Sequence, residues 1–400
     1  MNRRKVAVLF DNFGPYHVAR LKAAADVCNL LAIEFGSSSS EYAWKASESE
    51  GFKRVALNDD GASRDLTNGE FLSRLFHVLD DCKPDAVFVP GWGYRGSLMA
   101  LRWGLLHRVP VICMSESTQW DETRSRIKEW VKRRIISLFS SALVGGAPHR
   151  DYMMELGMPA DRIFLGYDAV DNRFFEEEAR KIRASTLELL EENKPFFLAS
   201  ARFIEKKNLP RLIKAYSRYR DNAFTSSTNE PWNLVLLGDG ELRPKLEKIC
   251  FQLGLENCIQ MPGFKQYEEL SGYYAAAGVF IHASTTEQWG LVVNEAMASG
   301  LPVLVSNTCG CAANLVMDGE NGWTFDPTDE GQMADLMLKI ASDETLRKKM
   351  GLRSREIIAE WGPERFASGV ASALAAALAA PRKKKGWLNR LILWAVTKNN

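Results

Sequence analysis

The sequence predicts an α/β protein of two successive parallel-sheet, Rossmann-like domains. Three observations carry that expectation. The 400 residues exceed what one ordinary core holds. Short runs rich in β-branched and aromatic residues alternate with longer helical stretches, the pattern of βαβ units with helices on both faces of a sheet. That alternation occurs twice, interrupted by a polar, turn-rich segment.

Taken in order, runs at 6–10 (VAVLF), 30–35 (LLAIEF), 86–90 (AVFVP), 109–114 (VPVICM) and 142–146 (ALVGG) read as buried strands of a first sheet, with spacers that suit helices. Residues 165–174 (LGYDAVDNRF) are polar and turn-rich, and 176–193 are highly charged and helical in character. The domain boundary is expected there, near residue 180. A second series follows at 196–201 (FFLASA), 234–237 (LVLL), 258–261 (CIQM), 279–282 (VFIH) and 302–306 (PVLVS). Helices fit between these runs, for example at 209–219 and 241–253. Two closing helices are read at 345–361 and 363–378. The expected division is 1–180, 181–362 and a tail, 381–400, that fits neither sheet.

Composition narrows the function classes. Apolar residues make up 46% and charged residues 25%, a globular balance, and the net charge of +1 gives no reason to expect a nucleic-acid partner. The seven cysteines are scattered without a CxxC pair, so reduced thiols are expected rather than a disulfide framework. Cys309 and Cys311 stand too close for a zinc pair and have no second pair nearby. The apolar run before Asp11 is too short for a signal-peptide core, and no run is long enough to span a bilayer. The expected location is the cytoplasm, at most peripheral at the inner face of the plasma membrane.

Two segments carry chemistry. In 284–304 (STTEQWGLVVNEAMASGLPVL) a strand gives way to a polar loop and then a helix beginning near Gly290. Ligands of open α/β sheets sit at the carboxyl ends of strands. The first N–H groups of that helix, at Gly290, Leu291 and Val292, have no intrahelical acceptor and together with the helix dipole suit a diphosphate. Glu287 lies in the loop. Glu295, in the first turns of the helix, has a carboxylate that can accept from two neighbouring ribose hydroxyls. In 200–209 (SARFIEKKNL), Arg202 and Lys207 place two cations on one strand-to-helix turn, suited to the same diphosphate and to the charge that develops on a leaving nucleotide.

These motifs resemble glycosyltransferase family 4, the retaining GT-B enzymes. The E-x7-E pair stands as Glu287 and Glu295, the family's Arg and Lys as Arg202 and Lys207, the GDG turn as Gly238-Asp239-Gly240, the PG[FY] loop as Pro262-Gly263-Phe264, and the late DGxNG turn as Asp318 to Gly322. The match is strong over 196–326 and weaker in the N-terminal half. The resemblance implies two domains with an interdomain cleft, and a closing helix, 363–380, returning to the first domain. It implies sugar transfer with retention from a nucleotide-sugar donor, with no metal and no cofactor. Glu295 would hold the ribose, Glu287 the transferred sugar, Phe264 would flank the base, and Gly14 and Gly238 would let backbone approach the donor. No D-x-D sequence is present. The acceptor implied is a glycan or lipid-linked saccharide, as in surface polysaccharide or lipopolysaccharide synthesis. A GT-B nucleotide-sugar epimerase, or an inert nucleotide-binding scaffold, are the alternatives on this fold.

The first domain departs from the family pattern. The loop 12–17 (NFGPYH) lacks its double glycine, and Glu116, in Ser115-Glu116-Ser117-Thr118, stands where many members have a histidine. Glu116, His17 and Trp92 are the acceptor-side candidates, Trp92 with Tyr94 as a platform on which a sugar stacks, with a plain tight turn at Gly91-Trp92-Gly93 as the alternative. An ordinary explanation stands beside each motif. A Glu pair eight apart is offset by about 80° on a helix, so only its surroundings make it specific. His17 suits a helix cap as well as a substrate contact. The Gly238–Gly240 turn suits backbone geometry, and His282 suits core packing. The basic, apolar stretch 382–394 suits weak attachment to an anionic membrane surface or packing on the first domain.

Overall fold

The computed structural model describes residues 3–37, 51–59, 61–185, 194–226, 230–380 and 386–399. The chain forms two compact units, residues 1–170 with 363–400, and 171–362.

In the first unit the strands are β1 (Lys5–Phe10), β2 (Asn29–Glu34), β3 (Lys53–Ala56), β4 (Ala86–Pro90), β5 (Val111–Ser115), β6 (Ser141–Val144) and β7 (Ile163–Leu165). Its helices are α1 (Pro15–Ala25), α2 (Asn68–Cys82), α3 (Arg95–His107), α4 (Arg126–Ile136) and α5 (Ala147–Glu155). All pairings are parallel, in the order β3-β2-β1-β4-β5-β6-β7. The central strands read as unbroken apolar runs because both faces are covered, and β4 and β5 are buried throughout.

The second unit has β8 (Phe197–Ser200), β9 (Leu234–Leu237), β10 (Ile259–Gly263), β11 (Val279–His282), β12 (Val303–Ser306) and β13 (Gly322–Phe325). Between and after them lie α6 (Asn172–Ser185), α7 (Leu209–Ser226), α8 (Arg243–Gln252), α9 (Tyr267–Ala276), α10 (Leu291–Ala298), α11 (Ala312–Leu315), α12 (Glu330–Ala341) and α13 (Glu344–Ala359). The sheet order, β10-β9-β8-β11-β12-β13, repeats that of the first sheet. The boundary falls between Val170 and Asp171 rather than near 180. The cause is α6, whose Phe175 is buried against Tyr267 and Tyr274 of α9.

Two helices complete the first unit. On α14 (Pro363–Ala379), Phe366, Val370, Ala373 and Leu374 join Val8, Phe88, Ile112 and Met114 in one core. The Ser141 hydroxyl donates to the Ala373 carbonyl at 2.8 Å. Then α15 (Trp387–Asn399) packs on α3 and α4, with Leu393 in the opposite core layer. Of the two readings of the tail, packing on the first unit describes 387–397, whose Leu393, Val396 and Thr397 face inward. Residues 381–385, which hold the run of cations, lie outside the described residues. Among the described residues no helix is long and apolar enough to cross a membrane.

Candidate functional site

In each sheet the strand order reverses direction at one crevice, between β1 and β4 and between β8 and β11. Open α/β sheets bind ligands at such a switch point, beside the loops that leave the carboxyl ends of the flanking strands. The two segments singled out in the sequence flank this switch point in the second unit.

The loop after β8 is held from beneath by Phe203, which is fully buried. Its N–H donates to the Asp239 carbonyl at 2.8 Å, and its own carbonyl accepts from Leu242 at 3.0 Å. Gly238 makes that docking possible: its φ is +120°, and a Cβ there would lie 1.9 Å from the Ala201 carbonyl oxygen. Its N–H is spent on Gly263. Gly238 therefore serves the packing of the Arg202 loop, in line with the backbone-geometry reading of its turn. A short turn at Glu205–Lys207 then ends on Asn208, left-handed at φ 59°. The Asn208 amide donates to the Ala283 carbonyl at 3.0 Å and the Pro327 carbonyl at 2.8 Å. Thr285 N–H donates to the Lys206 carbonyl at 2.8 Å. These bonds stitch the two loops together, and the sequence reading missed Asn208 because its signal is a backbone angle.

The stitching brings Lys207 directly onto Glu287, with Lys206 at 3.9 Å from the same carboxylate. Both members of the close pair are largely buried, their side chains 13% and 12% exposed. His282, expected as core packing, is buried but also reaches the site, its Nε2 lying 3.4 Å from Glu287. The Ser284 hydroxyl donates to the same carboxylate at 3.3 Å. Burial alone would push the Glu287 carboxyl up. The His282 hydrogen bond and the Lys207 charge outweigh it and hold the group well below the usual carboxylate range. Burial lowers the His282 pKa, against the pull of Glu287, so the neutral imidazole donates through Nε2. The backbone of Glu287 is fixed in turn by Gly310 N–H, which donates to its carbonyl at 3.0 Å.

Gly290 caps α10 at φ +102°, and the first N–H groups of that helix, at Leu291 and Val292, lie next in the chain after the Glu287 loop. Trp289, buried against Trp361 and bonded through its indole N–H to Asn294, anchors the entry to the helix. Glu295 is fully buried in α10, and its Oε2 accepts from the Tyr274 hydroxyl at 2.5 Å. Burial and the Glu295 charge push the Tyr274 phenol well up, so it remains the donor. Here a protein hydroxyl occupies the kind of contact expected of a ribose. Arg202 is half-buried on the same loop as Lys207, and Phe264 is 43% exposed at the end of β10. Among the described residues no three His, Cys, Asp or Glu side chains converge as a metal site.

The first-unit candidates separate. The Gly14 N–H donates to His17 Nδ1 at 3.2 Å, closing the first turn of α1, so that N–H is not offered to a ligand. His17 packs edge-on against Phe10 at 4.5 Å, and burial followed by the Arg20 charge lowers its pKa, keeping the ring neutral as the cap requires. Trp92 is buried beside Tyr152 in the core and does not form a surface platform, because its turn folds inward. The exposed aromatic of that turn is Tyr94, 58% exposed. Glu116 is half-buried at the carboxyl end of β5.

Two parallel sheets of one strand order, with a cation-and-carboxylate cluster at the switch point of the second, define an α/β protein of the GT-B architecture. Residues 181–357, most of the second unit, match the family described as Glycosyl transferases group 1. A lipopolysaccharide core biosynthesis glycosyltransferase of Rhizobium meliloti is 30% identical over 41% of this chain and 44% of its own length. An alpha-D-kanosaminyltransferase of Streptomyces kanamyceticus is 25% identical over 61% of this chain and 62% of its own. The chain thus aligns with less than two thirds of either relative. Among solved structures, Anabaena HepE in complex with UDP superposes with a TM-score of 0.71 at 17% identity, covering 93% of this chain and 99% of that one. The lipopolysaccharide outer core galactosyltransferase WaaB superposes with a TM-score of 0.67 at 16% identity, over 93% and 99%.

Proposed function

We propose that the protein is a glycosyltransferase that moves a sugar, with retention, from a nucleotide-sugar donor to a glycan or lipid-linked saccharide in surface polysaccharide or lipopolysaccharide synthesis. The observation that carries this reading is the convergence of Lys206, Lys207 and His282 on Glu287 at the switch point of the second sheet, next in sequence to the start of α10. Without donor the lysines and Glu287 neutralise one another. A diphosphate competes for the lysines, with Arg202 and the α10 N–H groups as further donors, and Glu287 is released to accept hydroxyls of the sugar. The same cations oppose the charge that grows on the departing nucleotide, so the reaction needs no metal ion. The names of the relatives support this class, and the HepE structure supports a uridine nucleotide as a first donor to try.

The membrane surface is the proposed place of work. On α15, Trp387, Leu391 and Trp394 are 76%, 49% and 48% exposed, and on the neighbouring α4 Ile127 and Trp130 are 76% and 45% exposed. Exposed cations Arg126, Lys128, Arg133 and Arg390 stand among them. Exposed aromatics interleaved with cations suit the headgroup layer of an anionic bilayer.

Titration calorimetry with UDP-glucose and GDP-mannose tests the donor site. Glu295→Ala and Lys207→Ala should each weaken binding about tenfold or more, the effect of losing a charge-assisted hydrogen bond of about 1.5–3 kcal/mol. Unchanged affinity in both variants refutes the donor assignment. Free epimerised sugar nucleotide as the only product would move the reading to an epimerase.

A further inference from the structure

Asp168 follows β7 in the first unit, two residues past the left-handed Gly166. It is fully buried, and neither carboxyl oxygen receives a hydrogen bond from any N–H or hydroxyl. An ionised carboxylate left so would cost several kcal/mol. The group it faces is a second carboxyl, that of Glu116 at the end of β5. Among the described residues, Arg20 of α1, 2% exposed, is the one cation whose charge bears on Asp168. Its guanidinium is spent on backbone carbonyls, Nε on Tyr16 at 3.2 Å and Nη1 on Tyr167 at 2.9 Å. The plane of that guanidinium lies over the Tyr167 ring at 5.0 Å. Burial pushes the neighbouring Tyr167 phenol well up, so it stays neutral, and buried His17, lowered by burial and then by the Arg20 charge, stays neutral as well.

The charges then balance in one way. A buried cation with two facing carboxyls is neutral when exactly one proton is kept between the acids, as in other carboxyl dyads. With the proton on Asp168, its hydroxyl donates to Glu116, which gives one of the two orphaned oxygen atoms a partner and leaves Glu116 as the anion. Burial acts in the same direction, raising the Asp168 carboxyl well above its usual range.

We propose that Glu116 and Asp168 share one proton at neutral pH with Arg20 as counter-ion, and that Asp168 is the positioning residue that fixes the Glu116 carboxylate as a hydroxyl-binding group for the acceptor. The pair stands on this structure alone. Its service to an acceptor rests on the transferase reading above. Asp168 is itself sealed from solvent and acts only through Glu116, which is half-buried at the ligand end of the sheet. Above the second ionisation of the pair both carboxyls are charged, they repel, and the hold on Glu116 is lost.

Infrared spectroscopy of the full chain labelled with 4-¹³C-aspartate reads the proton directly. Wild type should show one protonated aspartate carbonyl band at neutral pH that vanishes as the pH is raised. Asp168→Asn should lack it. Glu116→Gln should also lack it, because a single carboxyl is balanced by Arg20 and ionises. Absence of the band in wild type overturns the proposal, and so does its persistence in Glu116→Gln, which would mean that burial alone protonates Asp168. Saturation-transfer NMR with methyl α-D-glucopyranoside reads the hydroxyl site. Binding should survive in Asp168→Asn, whose amide donates permanently to Glu116, and should lose its alkaline fall there, while Glu116→Gln abolishes it. Equal binding by wild type and Glu116→Gln, or none by wild type, overturns the hydroxyl role. Neither readout needs turnover, so failure of the donor titration above and failure of the pair are separate results.

Discussion

Replacing Lys207 by Met keeps the length of the side chain and removes its charge. Glu287, 12% exposed at its side chain, then loses its nearest cation. Removing one partner of a buried pair costs about 3–5 kcal/mol when nothing else compensates. Here the Ser284 hydroxyl at 3.3 Å, His282 at 3.4 Å and Lys206 at 3.9 Å remain. They offset part of the loss, leaving about 2 kcal/mol, or a fall of about 4–8 °C in the Tm of a unit the size of residues 171–362. The sign with pH follows from the depressed Glu287 pKa. A carboxyl with a lowered folded-state pKa contributes stability above the unfolded carboxylate range and loses it as the pH falls towards the folded value. In Lys207→Met the folded value rises, so the difference from wild type is full at neutral pH and shrinks as acid protonates Glu287 in the variant. Differential scanning fluorimetry across a pH series measures both quantities. A variant as stable as wild type at neutral pH, or a difference that acid leaves unchanged, refutes the electrostatic account of the site.

Three further outcomes are expected. Gly238→Ala places a side chain at φ +120° against the Ala201 carbonyl and should destabilise by about 3 kcal/mol, read by urea unfolding followed through fluorescence. Asn208→Ala removes two buried amide bonds, leaving the Ala283 carbonyl unmet and the Pro327 carbonyl with Arg211 at 3.5 Å, so it should destabilise by about 2–3 kcal/mol and also weaken binding of UDP, because Lys207 is no longer held. Trp387→Ser with Trp394→Ser should reduce co-sedimentation with phosphatidylglycerol vesicles while leaving the Tm within about 2 °C, since both rings are already exposed.

Sheet cores were the most legible part of the sequence. Residues 86–90, 234–237 and 279–282 coincide with β4, β9 and β11 because a strand covered on both faces is a continuous apolar run. Three of the four edge strands were silent. β3 is KRVA, β7 is IFL and β13 is GWTF, each too short and too mixed for a periodicity to register. In the site, Glu287 and Lys207 were legible through their motif neighbourhood. His282 was not, since a histidine at the end of a buried strand gives no sign of which ring nitrogen meets a carboxylate three ångströms away. Trp92 misled because an aromatic beside two glycines looks the same in sequence whether its turn opens outward or folds into the core. The Glu116–Asp168 pair was invisible for another reason: its members are separated along the chain by α4, β6, α5 and β7, and only the strand order brings them together.

The return of α14 to the first sheet sets an order of events during synthesis. Residues 171–362 form a contiguous unit that is complete as soon as it clears the ribosome. The first unit, although translated earlier, must wait for residues 363–379 before Val8, Phe88, Ile112 and Met114 are covered. For the time needed to make some 190 residues, about 10–40 s at 5–20 residues per second, the older half of the nascent chain carries an open apolar face. The later half folds first, and the earlier half is the one for which a chaperone has work to do.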